Sequence, residues 1–446
     1  MSISALFSGM EAYLDGDVEI TNNVDVPADE TEAAEETAET AGEVADGEVE
    51  SKENEVANQM LSKMTTMYYH VKQFGIDRTF VSLYNRHGEL NRVCGMQFPS
   101  CESMDVSGSS YSNYSQAFIA AMEDEGEGLW AKFKAIIAKI WNWIKNTASS
   151  IWNKLKSLFG FNKNALQKAL AKLKSYDPKA VVSVSGSAGA VLGDSVWERN
   201  SPLLNWINEM RSIQSKVGTV FGPMQAFAGQ IASAAKMGAA ASGDGFADRN
   251  YSSLESTADK ITGDVKKFSD QYLGPQTIVG KMVGGIRGFL KMLDRGVDRV
   301  ATLGAAGHAY NETSKKAAKM EAKGKSAKIH VGDLVKRATK LMQLTDGMSA
   351  GFDANAKQLE GVAAKIKASA DSIGNGSKAA TKLGKVVSTM LQQVQRFISV
   401  LQKQAQNVNT ILDSAAKGIN GISQSGGSAG NESFDIGFDN FSYDFL

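Results

Sequence analysis

Apolar residues recur at helical spacing along most of this chain. Met60, Leu61, Met64, Met67, Tyr68 and Val71 return every three or four residues, which predicts an amphipathic helix from Val56 to Val71. Ile3, Leu6, Phe7, Met10 and Leu14 keep the same period long enough for a short helix. The period then changes. Phe80 to Tyr84, a turn around Arg86, His87 and Gly88, and a return from Leu90 to Cys94 predict a β-hairpin over 79–94. Residues 105–115 read as a polar linker.

The segment 129–161 carries the clearest pattern. Leu129, Trp130, Phe133, Ile136, Ile137, Ile140, Trp141, Ile144, Ala148, Ile151, Trp152, Leu155, Leu158 and Phe159 fall on one stripe, with Lys132, Lys134, Lys139, Lys145, Lys154 and Lys156 interleaved. A helix over 129–159 would be about 46 Å long, and Gly160 is a candidate C-cap. Four of the six tryptophans lie here: Trp130, Trp141, Trp143 and Trp152.

Further helices are expected near 163–175, 195–219, 224–240, 253–273, 276–303, 331–345, 350–373 and 379–418, with Pro178, Pro202, Pro223 and Pro275 at or near their starts and breaks. Residues 179–193 read as a linker or a short strand. In the last helix Leu383, Val387, Met390, Val394, Phe397, Leu401, Ala405, Val408, Leu412 and Ala415 alternate steps of four and three, the mark of a coiled-coil-like or bundle seam. The expected fold is therefore mainly α: a helical bundle, compact or elongated, with a coiled-coil-like C-terminal helix.

Composition changes the picture at the N-terminal end. Residues 21–56 hold no aromatic and few large apolar residues, too little to offset the entropy of ordering, so disorder is expected there. Residues 1–55 carry 17 acidic residues against Lys52 alone, whereas 124–446 carry 42 basic against 27 acidic. Four regions follow: an acidic, largely disordered leader (1–56), a helix and hairpin unit with its linker (57–123), a basic α-helical body (124–430) and an acidic aromatic tail (431–446). Such asymmetry suits a polyanionic partner for the body and a pro-segment for the leader. The strongest basic cluster is Lys315, Lys316, Lys319, Lys323, Lys325, Lys328, Lys336, Arg337 and Lys340. These are candidates for non-specific phosphate contacts, although a solvated helix face would look the same.

Catalytic patterns are missing. The chain has no G-x-x-x-x-G-K-[ST], G-x-S-x-G, H-E-x-x-H or G-x-G-x-x-G. Cys94 and Cys101 lack ligand-type neighbours, and His70, His87, His308 and His330 lie in different elements. No enzyme, cofactor or metal is expected. No run reaches the length of a membrane span, and no secretory signal is visible.

The layout of an acidic leader, a helix–hairpin unit and AFIAAMEDEGEG directly before a Trp/Lys-rich amphipathic helix resembles the virion structural proteins inside the heads of giant phiKZ-like tailed phages. FGIDRTFVSLYNRHGELNRVCGMQFPSCESM, 74–104, looks like their propeptide region, and the resemblance covers about 1–160. It implies a propeptide removed by a prohead protease that cuts after a glutamate preceded, two positions earlier, by a small residue. Ala121-Met122-Glu123, followed by Asp124, fits. The same pattern recurs at Glu11, Glu30, Glu36, Glu53, Glu255 and Glu432. Glu123 stands out because it is expected in a short acidic loop between two patterned regions, where a protease can reach extended backbone, and because a cut there divides the charge.

The resemblance thus implies a multi-copy internal head protein, assembled in the host cytoplasm and kept in the virion. Its partners would be the prohead protease, capsid or other internal head proteins, and packaged DNA beside which the body sits and with which it could be ejected into the host. A different reading takes 129–159, with Trp130, Phe133, Trp141, Trp143 and Trp152, as an interfacial helix acting at a host membrane. Against it, a stripe on a helix followed by eight others is expected to bury in the protein's own helical core.

Overall fold

A computed structural model of the chain describes residues 28–77, 80, 115–116, 118–120, 122–123, 128–184, 186–193, 197, 202–240, 244–273, 327–373 and 380–425. Helices dominate. They are α1 (Ala28–Phe74), α2 (Leu129–Asn142) and α3 (Ser149–Leu173), the last two joined by a π-helical turn over Trp143–Ala148. A short strand β1 (Val181–Val184) and helix α4 (Gly186–Leu192) follow. Then come α5 (Pro202–Ala240), α6 (Asp244–Leu273), strand β2 (Ala327–His330), α7 (Val331–Asp371) and α8 (Ala380–Ser425). The two strands pair antiparallel, Val181 opposite His330 and Val184 opposite Ala327. This is the mainly α bundle that the 3.6-residue period predicts.

Helix α8 is the axis of the bundle, packed by α1, α2, α3, α4, α6 and α7. All ten seam residues from Leu383 to Ala415 are buried. Phe397 packs its ring 4.9 Å from Phe221 of α5 and 5.8 Å from Phe268 of α6. A helix surrounded on every side buries its polar positions too, so Ser388, Gln392, Gln395, Ser399, Gln402, Gln404, Asn407 and Asn409 are also inside. Buried amides must find partners. Gln402 donates to the carbonyl of Ala148 at 2.8 Å, at the end of the π-turn, where a carbonyl leaves the regular α ladder. Asn409 donates to Leu155 O at 3.1 Å, and the Trp206 indole donates to Gln404 Oε1 at 3.0 Å.

Several boundaries differ from the sequence reading. Residues 28–56, expected without order, belong to α1. Ala and Glu are strong helix formers, and tertiary packing supplies what propensity alone does not. Gly160 does not cap a helix; α3 runs through it to Leu173. Pro223 does not break α5, although a proline inside a helix costs about 3 kcal/mol. The burial of Phe221, Met224 and Phe227 around it offsets that cost. The helices expected at 331–345 and 350–373 are one, α7. Phe80 is helical rather than the start of a strand, and its N–H donates to Asp77 Oδ1 at 2.6 Å as at a capped helix start. The rest of the predicted hairpin lies outside the described residues, as do the helices near 3–14 and 276–303 and the tail 431–446.

Candidate functional site

The acidic helix α1 lies antiparallel across α8 and across the lysine-bearing helix α2–α3. Its contact line is regular. Thr40, Val44, Gly47, Ser51, Asn54, Asn58, Leu61, Thr65 and Tyr68 alternate steps of four and three, and every one is buried. The facing line on α8, Ser388, Gln392, Gln395, Ser399 and Gln402, has the same spacing. The two seams are held together by hydrogen bonds. Asn58 donates to Gln392 Oε1 at 3.1 Å and accepts from the Ser388 hydroxyl at 2.6 Å, and Asn54 donates to Gln395 Oε1 at 3.3 Å. Gly47 lets the backbone of α1 come close to Trp143, since a Cβ there would stand 3.2 Å from the indole.

Outside this polar seam runs a row of ion pairs. Lys154 reaches Glu39 at 2.9 Å and Glu43 at 2.6 Å, Lys403 reaches Glu48 at 2.6 Å, and Lys139 reaches Glu53 at 3.5 Å. The carboxylates hold the Lys154 ammonium well above its ordinary pKa, Glu43 foremost. Burial works against the charge of Glu48, but Lys403 and Lys52 together keep its carboxyl below the ordinary value. α1 holds twelve acidic and three basic residues, and 129–173 hold nine lysines and no acidic residue. The two surfaces are electrostatic complements.

At its other end α1 holds the candidate cleavage residue. Glu123 accepts hydrogen bonds from the Tyr68 hydroxyl and from Lys72 Nζ, the latter at 2.8 Å. Burial, then the bond to Glu123 and its charge, push the Tyr68 hydroxyl far above its usual range. Met122 is buried, and Met122 and Glu123 are helical rather than looped. Ala121 and Asp124 lie outside the described residues.

The amphipathic stripe is core: Trp130, Phe133, Trp143 and Trp152 are buried, and Trp141 packs half-buried against the core. The Trp152 indole donates to Asp353 Oδ1 on α7 at 3.3 Å. Among the described residues no helix is long and apolar enough to cross a membrane. Of the basic cluster, Lys315, Lys316, Lys319, Lys323 and Lys325 lie outside the described residues. Lys328, Lys336 and Lys340 are exposed on β2 and α7. Arg337 is bound up in the fold: it donates to the carbonyl of Leu192, at the end of α4, at 2.7 Å.

Residues 19–423 match the family model of phiKZ-like phage internal head proteins. The chain belongs to that family. The match runs from ahead of α1 almost to the end of α8, far beyond the 1–160 on which the sequence resemblance rested, so leader and bundle are parts of one family unit. Comparison with curated proteins and with solved structures gave no match. The internal head protein is thus a structural component of the virion, housed in the phage head.

What sequence reasoning missed is the groove under α1. Its signal was present in Thr40, Gly47, Ser51, Asn54 and Asn58, spaced as a seam but made of small and polar residues. A search for apolar stripes passes over them.

Proposed function

We propose that this internal head protein is made as a precursor, cut after Glu123 by the prohead protease, and that its basic helical body then lies against packaged DNA. The observation that carries the reading is the position of α1: its carboxylates occupy Lys139, Lys154 and Lys403 of the body, and its C-terminal half holds Glu123. A leader so placed keeps the body off nucleic acid during assembly in the host cytoplasm. Its removal leaves 42 basic against 27 acidic residues in 124–446. Contacts to DNA are then to phosphate and carry no sequence preference. The role is structural and multi-copy, shared with the capsid and other internal head proteins, with no catalysis by the chain itself.

The burial of Trp130, Phe133, Trp143 and Trp152 supports a core role for 129–159 rather than a membrane one. The test is Glu123→Gln in the phage. The variant precursor should persist uncut in infected cells, whereas normal processing of the variant would refute the site.

A further inference from the structure

The groove beneath α1 has the chemistry of a polyanion site in its own right. We infer that, once α1 has left, this groove grips one phosphate backbone of duplex DNA through Lys139, Lys154 and Lys403, over a floor of Ser388, Gln392 and Gln395. The inference rests on the cleavage reading for its timing but not for its chemistry.

Three observations carry it. First, the groove already binds a line of anions. Glu39, Glu43, Glu48 and Glu53 are four or five residues apart, or about 6–7.5 Å along the axis of α1. A DNA strand rises about 3.4 Å per phosphate along the duplex axis, so for a groove running with that axis the lysines meet anions at roughly the spacing of every second phosphate. Second, the stretch of floor that faces Asn54 and Asn58 is polar, while Trp143 and Ile151 line it opposite Gly47. Hydroxyl and amide side chains beside lysines are usual partners of phosphate and sugar, and contacts of that kind carry no sequence information. Third, the flanking helix α2–α3 carries lysines without a single acidic residue, so the surrounding field favours an anion. The groove now holds a helix about 10–12 Å across, which gives room for one backbone rather than a whole duplex. Phosphates would take the places of the carboxylates, so packaged DNA itself competes the severed leader away.

This site differs from the cluster around Lys336 and Arg337, where Lys336 pairs with Asp333 at 3.3 Å and Arg337 binds a helix carbonyl.

The experiment uses the full chain and a random-sequence duplex. Glu39→Gln, Glu43→Gln, Glu48→Gln and Glu53→Gln, combined with Asn58→Leu to weaken the buried seam of α1, should open the groove and raise affinity about tenfold or more. Adding Lys139→Gln, Lys154→Gln and Lys403→Gln should flatten the slope of log K against log salt by about 2–3, at about 0.9 per phosphate contact. A control triple, Lys156→Gln, Lys163→Gln and Lys367→Gln, removes lysines paired to Asp353, Asp346 and Asp371 of the body. It should change the slope by less than about one. Equal effects of the two triples would overturn the inference.

A measurement without variants guards against misfolding. In the chain purified from virions, lysine acetylation at Lys139, Lys154 and Lys403 should be blocked by added duplex. Protection by polyglutamate but not by duplex would overturn the inference in favour of an acidic peptide. An uncut virion chain would contradict the cleavage reading alone, since the carboxylate-neutralised full chain still reports on the groove.

Discussion

Replacing Asn58 by leucine separates two of the forces that hold α1 in place, the buried polar seam and the ion pairs. Asn58 is 4% exposed and bridges Ser388 and Gln392. In Asn58→Leu the Ser388 hydroxyl keeps a partner, because it also lies 3.1 Å from the carbonyl of Lys385. Gln392 Oε1 loses the Asn58 donor, and leucine, which has as many side-chain heavy atoms and is bulkier, leaves no room for water. An orphaned buried acceptor costs about 1–3 kcal/mol, which multiplies the undocked population of α1 by about 5 to 150. Lys139→Gln removes instead a pair whose side chains are 49% and 36% exposed, worth about 0–1 kcal/mol. The buried amide should therefore outweigh the ion pair.

Hydrogen exchange of the full chain reads both. In Asn58→Leu the amides of 51–65 should exchange faster by that factor while those of α7 stay unchanged. In Asn58→Leu/Gln392→Leu much of the loss should return, because replacing both partners by apolar groups is nearly neutral. The reasoning fails if Lys139→Gln frees α1 more than Asn58→Leu does, or if α7 accelerates equally.

Other expectations follow from the same packing. Gly384→Ala should lower the melting temperature although alanine is the better helix former by about 1 kcal/mol: the new Cβ would stand 2.8 Å from Trp130 and 3.0 Å from Phe133, overpacking worth about 1–3 kcal/mol. A raised melting temperature would contradict it. Phe397→Ala, in the ring cluster with Phe221 and Phe268, should cost about 3–5 kcal/mol in denaturant unfolding, and a loss below about 1 kcal/mol would show a core that collapses freely. Acid should loosen α1 through Glu48. Its folded-state pKa lies below the ordinary 4.5, so its contribution is present above that value and fades as pH falls through the lower, folded one. Below pH 4.5 exchange in α1 should accelerate more in the unmodified chain than in Glu48→Gln; coincident profiles would remove Glu48 from the interface.

The apolar periodicity of α2, α3 and α8 was legible because a stripe of Leu, Ile, Phe and Trp has one stable destination, the core. Of α1, the apolar stripe from Val56 to Val71 was legible too, but residues 28–55 were not, and for a physical reason. Composition treats Glu and Ala as solvent-seeking, but ordering here depends on a complementary surface elsewhere in the chain. Lys139, Lys154 and Lys403 supply it, and no local window contains them. Nor did the seam of α8 reveal that its glutamines are buried, since that depends on how many helices surround it. Pro223 and Gly160 misled in the same way: local punctuation yielded to packing on both sides. Of the candidate site, the position of Glu123 at the division of charge could be read from the sequence; its clasp by Tyr68 and Lys72 needed the fold.

The mass of the internal head protein in purified virions tests the central claim most directly. A removable acidic helix predicts a chain beginning at Asp124, with peptides of α1 scarce relative to those of α5 and α8. A full-length chain in mature particles, with α1 peptides as abundant as those of the bundle, would contradict it.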